Sequence, residues 1–138
     1  MRRVALVGHP LRRRHSQVMH DAAFAAHGID ARYELREIDP DQLTAFVEEV
    51  RDPAWFGFQV TAPYKRDVFE LVDEVEPQAA AIGAVNSVER RDDGTLVGFN
   101  TDAPGFAAVL VIFRSSVGSV LSGSSAPAVP LAFSAPTT

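Results

Sequence analysis

Three rounds of one pattern constrain this chain more than anything else in it: an apolar extended run, a turn, then a stretch whose apolar residues recur at helical spacing. Residues 4–7, Val-Ala-Leu-Val, carry no polar break and stop at Gly8-His9-Pro10, which reads as a short buried strand ended by a turn. From Ser16, which suits a helix N-cap, Val18, Met19, Ala22, Ala23 and Ala26 recur at helical spacing until Gly28. Ala31, Tyr33 and Leu35 then alternate with Arg32, Glu34 and Arg36, the period of a strand. Asp39-Pro40 opens a second helix. Asp39 can cap it, Pro40 fits its first position, and Gln42 sits where a capping box needs it. Leu43, Phe46, Val47 and Val50 form the inner face of that helix. Residues 55–60 form a third strand, Thr61-Ala62-Pro63 a turn, and Val68, Leu71, Val72 and Val75 the inward face of a third helix. This order predicts a parallel sheet covered by helices.

Further along, Pro77 starts a short helix that ends near Gly83, and residues 85–89 and 95–99 flank Asp93-Gly94, a hairpin signal. Asn100-Thr101-Asp102 caps a last helix with Pro104 in its first turn. The expected fold is therefore α/β and three-layered. It has a mostly parallel sheet, a C-terminal antiparallel hairpin near the sheet's edge, and helices on both faces. After about Leu110 the pattern is lost. Arg114 is the last charged residue, and 115–138 is Ser, Ala, Pro, Gly, Val and Thr with scattered Leu and Phe. Residues 1–110 are expected to be one domain, and 111–138 a disordered low-complexity tail.

Composition narrows the function. A net charge of −5 provides no basic surface for nucleic acid. No apolar run reaches the roughly 18 residues of a membrane span, and the apolar stretch at the N-terminus is too short for a signal sequence. A cytoplasmic protein is expected. With no cysteine there is neither disulfide nor thiolate metal site, and His9, His15, His20 and His27 share no metal-ligand spacing.

Ligands of open α/β sheets bind beyond the carboxyl ends of the strands. Four clusters fall there: residues 8–16, 59–65, 85–87 and 100–102. Several of their members also read as structural: Ser16 and Asp102 as caps, Thr61 and Pro63 as turn residues. Lys65 stands out. It is the only lysine among 13 basic residues, and an ammonium can exchange a proton where a guanidinium cannot. A cation at a helix start also opposes the helix dipole. Asn86 lies within the apolar run Ala84, Val85 and Val88, where a buried amide needs a partner.

Together these clusters resemble the N-terminal, substrate-binding domain of the shikimate dehydrogenase family. The likeness is carried by Val60-Thr61-Ala62-Pro63-Tyr64-Lys65, by Ile82-Gly83-Ala84-Val85-Asn86-Ser87, and by Gly98-Phe99-Asn100-Thr101-Asp102 followed by Gly105-Phe106. A weaker piece is Gly8 and Pro10 followed by Ser16, His20 and Ala22-Ala23-Phe24. The resemblance implies NADPH-dependent reduction of 3-dehydroshikimate to shikimate, a step towards aromatic amino acids. It makes Lys65 and Asp102 the catalytic pair, has Thr61 and Asn86 bond the ring hydroxyls, and has Ser16 hold the carboxylate. The residue types suit that chemistry. An ammonium can stabilise or protonate the oxygen of a ketone receiving hydride, and a carboxylate keeps the ammonium charged and oriented. Lys65 and Asp102 are therefore expected to meet at one end of the sheet.

Four positions depart from the family pattern. Arg14 replaces the first of two serines, Gln17 the proline that follows the second, Gln59 the asparagine before Val-Thr, and Asp21 the asparagine after His20. Arg14 and Gln59 remain candidate ligand contacts, with quinate or an aminated analogue open as alternatives. The family continues into a glycine-rich NADP-binding loop, and no G-x-G-x-x-G occurs in these 138 residues. The expectation is a truncated substrate-binding half, inactive in hydride transfer by itself. The alternative is a catalytically inert module that binds shikimate or quinate.

Overall fold

The computed structural model describes residues 1–12 and 15–108. Arg14 and the expected tail over 111–138 lie outside the described residues. The elements follow as β1 (Arg2–Gly8), α1 (His15–Ala26), β2 (Ala31–Glu37), a 3-10 turn (Pro40–Gln42), α2 (Leu43–Glu49), β3 (Trp55–Val60), α3 (Lys65–Leu71), β4 (Glu74–Val75), α4 (Pro77–Ile82), β5 (Ser87–Arg90) and β6 (Leu96–Phe99). Residues 102–108 are helical. The chain divides into two compact units after Asp102. The first holds all six described strands, in the order β2-β1-β3-β5-β6-β4. Only β5 runs antiparallel to its neighbours. The sheet is thus the mixed, mostly parallel one expected.

Strand pleating separates two faces. On one, Ala5, Val7, Phe58, Val60 and Val88 join Leu43, Phe46 and Val47 of α2 and Val68 of α3 in the main core. The Phe46 ring meets Trp55 and Phe58 edge-on at centroid distances of 5.8 and 5.1 Å, a favoured aromatic geometry. Each such side chain contributes roughly 1.5–3 kcal/mol by leaving water. At the start of this layer the Gln42 side chain accepts the Asp39 N–H at 2.9 Å, the expected back-bond of a capping box. Gly83 closes α4 at φ 71°, where its N–H donates to the Ala79 carbonyl at 2.9 Å; glycine takes this left-handed cap without a Cβ penalty.

Two local expectations need correction. The third helix ends at Leu71, because Val72 turns extended (φ −84°, ψ 157°). Glu74 and Val75 then pair with Val97 and Gly98 as an edge strand. The hairpin keeps its expected place near the sheet's edge, with only the two-residue β4 beyond it. Ser16 sits within the first turn of α1 rather than at its cap. That helix also buries none of its residues fully. Val18 and Met19 are 71% and 63% exposed, while Ser16, Gln17, His20, Asp21 and Phe24 are the half-buried ones.

Candidate active site

Pairing across β3, β5 and β6 gathers the candidate residues at one edge. Gln59 lies opposite Ser87, and Ser87 opposite Phe99. The Val60 N–H donates to the Asn86 carbonyl at 2.8 Å, and the Asn86 N–H to that of Phe99 at 2.9 Å. The Thr61 N–H donates to Val7 at 2.9 Å, which prolongs the β1–β3 ladder. Thr61 and Asn86 are therefore set by the sheet itself. Gly8 allows the loop after β1 to come close, since a Cβ there would lie 2.4 Å from the Thr61 methyl.

Lys65 opens α3, and its carbonyl accepts the Val85 N–H at 2.9 Å, tying the helix start to the segment before β5. The Lys65 ammonium donates to Asp102 Oδ2, the meeting the sequence predicts. The two side chains are 36% and 57% exposed. A pair this wet is worth about 0–1 kcal/mol to stability, so fold stability does not account for it. The hydrogen bond from Lys65 holds the Asp102 carboxyl below the usual range, partial burial opposes the shift, and the lysine's charge and a hydrogen bond from Asn86 reinforce it. The Asp102 carboxyl is therefore ionised at neutral pH.

Two neighbours brace this pair. Asn86 donates from Nδ2 to Thr101 Oγ1 at 2.9 Å and accepts the Thr101 N–H on Oδ1 at 2.9 Å. Buried Asn100 donates to the Ala84 carbonyl at 3.0 Å and accepts the Asp102 N–H at 3.1 Å. Asn86 thus has the partners that a half-buried amide requires. The sequence places Asn100 and Thr101 in a cluster beyond a strand end but gives neither a role of its own beside capping.

Ser16 and Thr61 line a cavity of about 270 Å³ with Leu6, Pro10, Leu11 and Arg12. The Tyr64 N–H donates to the Thr61 carbonyl at 3.1 Å, closing the turn that leads from this cavity to Lys65. Gln59 projects onto the α1 side of the sheet, where it lines a second cavity of about 340 Å³ with His20, Phe24, Ser87 and Phe99 among its walls. The structure thus brings Lys65, Asn86 and Asp102 into one bonded group, puts Ser16 and Thr61 in a cavity joined to it by one turn, and gives Gln59 a different partner. His20 Nδ1 lies 2.7 Å from the Ser16 carbonyl, a bond within the first helix. Tyr64, given no role from sequence, is buried, and its hydroxyl donates to the Ile38 carbonyl at 2.6 Å.

A dinucleotide needs a glycine-rich turn feeding a helix N-terminus, where backbone N–H groups meet its phosphates. The turn between β1 and α1 carries Gly8 alone and then Pro10, which has no N–H to give. No other described turn before a helix is glycine-rich, so the described residues do not fit that group. Among them no helix is long and apolar enough to cross a membrane.

Residues 6–88 match the family described as the shikimate dehydrogenase substrate binding domain. The chain belongs to that family. The matched stretch contains Ser16, Gln59, Thr61, Lys65 and Asn86. A shikimate dehydrogenase (NADP(+)) of an Exiguobacterium species is 39% identical over 118 residues, which cover 86% of this chain and 45% of the relative. The crystal structure of shikimate 5-dehydrogenase from Thermus thermophilus in complex with shikimate superposes with a TM-score of 0.73 at 39% identity, covering 81% of this chain and 42% of that one. A ligand-free 5-ketofructose reductase of a Gluconobacter species superposes with a TM-score of 0.74 at 32% identity, covering 83% and 41%. The chain thus spans less than half the length of these relatives.

Proposed function

We propose that residues 1–110 are the substrate-binding unit of an NADP-dependent shikimate dehydrogenase, which reduces 3-dehydroshikimate to shikimate. The observation that carries this reading is the Lys65–Asp102 contact, braced by Asn86 at the edge where an open α/β sheet binds its ligand. The relatives' names support the choice of acid and of cofactor.

In this reading Ser16 and Thr61 receive the acid in their shared cavity, Ser16 at its carboxylate, and Thr61 and Asn86 bond its ring hydroxyls. Arg14 and Gln59 are the further contacts. Lys65 Nζ donates to the ketone oxygen, which gathers negative charge as its carbon is reduced. Asp102 holds the ammonium aimed through their direct contact. The reduced cofactor, NADPH, would supply the hydride; the residues described here are assigned the binding of the acid and the handling of its proton.

Titration of the 138-residue chain with shikimate, followed by calorimetry or amide NMR shifts, tests this. Saturable binding is expected, weakened about tenfold or more by Thr61→Ala or Asn86→Ala, each of which removes hydrogen bonds to the ligand. Shikimate should bind more tightly than quinate or 5-ketofructose. A preference for either competitor, or no binding at all, would overturn the assignment. With NADPH and 3-dehydroshikimate, these 138 residues alone are expected to bind without turnover, since their described part has no phosphate cradle; sustained NADPH oxidation would contradict that.

A further inference from the structure

Gln59 is one methylene longer than the asparagine of the family pattern, so its amide has one more bond about which to turn. A glutamine amide can present either an acceptor or two donors, and a site that depends on one of them must suppress the other. Tyr33 meets that requirement. It lies fully buried on β2, facing α1, and its hydroxyl donates to Gln59 Oε1 at 2.5 Å.

Tyr33 is itself held from several directions. Strand β2 is an edge of the sheet, so the backbone groups of Tyr33 that point away from β1 need partners from elsewhere. The Tyr33 N–H donates to Asp21 Oδ1 at 2.9 Å, and the Tyr33 carbonyl accepts Gln17 Nε2 at 3.1 Å. The His20 ring stacks on the phenol at 4.3 Å with planes 10° apart. The polar side of α1, turned inward, therefore clamps one tyrosine. Burial pushes the phenol up to about 12, so it keeps the proton it donates.

We propose that Tyr33 is a positioning residue of the candidate site: its hydroxyl pins Gln59 Oε1 and leaves the Gln59 NH2 as the group offered to the ligand. Gln59 thereby selects an acceptor oxygen on a hydroxylated ring acid. Thr61, two residues further along the same chain direction, shares the side of the sheet to which Gln59 projects. The inference rests on the reading above, in which Gln59 and Thr61 contact a shikimate-like acid.

The test uses Tyr33→Phe, which keeps the stacked ring and removes only the hydroxyl. Shikimate titration of the 138-residue chain should show binding weakened about five- to tenfold, the size of one net hydrogen bond. In a Gln59→Ala background the same substitution should change affinity less than twofold, although any effect on thermal stability persists. Equal weakening in both backgrounds would make Tyr33 merely structural and overturn the proposal, as would wild-type affinity in Tyr33→Phe. The Gln59 side-chain amide NMR signals of the ligand-free chain add a readout independent of shikimate. They should shift and exchange faster with water in Tyr33→Phe, and unchanged signals would refute the pinning. Should the wild-type chain fail to bind shikimate, the functional reading and the ligand role of Gln59 fall together, while those signals still decide whether Tyr33 fixes the amide.

Discussion

On the side of the sheet that carries α2 and α3, Phe46, Trp55, Phe58, Val60 and Val68 pack with 3% or less of their surface exposed. On the side that carries α1, the inward residues of the helix are Ser16, Gln17, His20, Asp21 and Phe24, none of them fully buried, and Val18 and Met19 face water. The first side is shaped by area removed from water, which has no direction. The second is shaped by hydrogen bonds and one ring stack, which do. The apolar side secures the sheet and thereby the backbone of Thr61 and Asn86. The polar side adjusts individual groups, Gln59 above all.

The largest effect expected from this contrast is that of Phe58→Ala. It removes a buried ring from between Phe46 and the sheet and should cost about 3–5 kcal/mol in urea unfolding. A loss below 1 kcal/mol would erase the distinction between the two sides.

Next comes the charged rim of the apolar side. Arg3 lies 4.0 Å over the Trp55 ring and forks onto Glu34 with two bonds of 2.9 Å. The hydrogen bond from Arg3 draws the Glu34 carboxyl down to about 2, with Arg32 helping and burial opposing. Glu34→Gln should cost about 1–2 kcal/mol at neutral pH, the scale of a partly exposed charge-assisted bond. A depressed acid stabilises the fold above its unfolded value and loses that contribution as pH falls through its folded one. The gap between wild type and Glu34→Gln should therefore narrow from about pH 4.3 towards pH 2. A gap that stays constant over that window would show that charge is not its source.

Lys65→Met should change stability by no more than about 1 kcal/mol, because its ion pair is exposed. The sharp prediction is the contrast with ligand: shikimate should raise the melting temperature of wild type and not of this variant. The smallest effect belongs to the outer side of α1. Met19→Lys should move stability by less than about 0.5 kcal/mol. A larger loss in dilute solution would mean that this side of the helix is covered.

Much of this was legible in advance because it is local. The alternation of Tyr33 with its charged neighbours specifies a strand without reference to anything distant. Gly83 and Pro77 bracket a helix by backbone geometry alone. The pairing of Lys65 with Asp102 could be anticipated from two facts: both follow strand ends, and an ammonium in a cleft requires a carboxylate or water. The bracing roles of Asn100 and Thr101 were not separable from capping in the sequence, because both use the same side-chain oxygens.

The sequence by itself determined the order of strands and helices apart from β4, the turn residues between them, and the group of residues that marks the family. Each depends on spacing over a few positions, or on a residue type that tolerates few substitutes. The tertiary structure alone decided that Val75 joins an edge strand rather than a helix, that α1 turns its polar side inward, and that Tyr33 reaches Gln59 across β1. The physical reason is common to all three. A helix or strand carries a preference for burying apolar area, but the partner surface sets which side is buried. For α1 that surface is the open edge of β2, whose unpaired backbone groups are satisfied by the helix's polar side chains, and for Val75 it is strand β6 at the other end of the sheet.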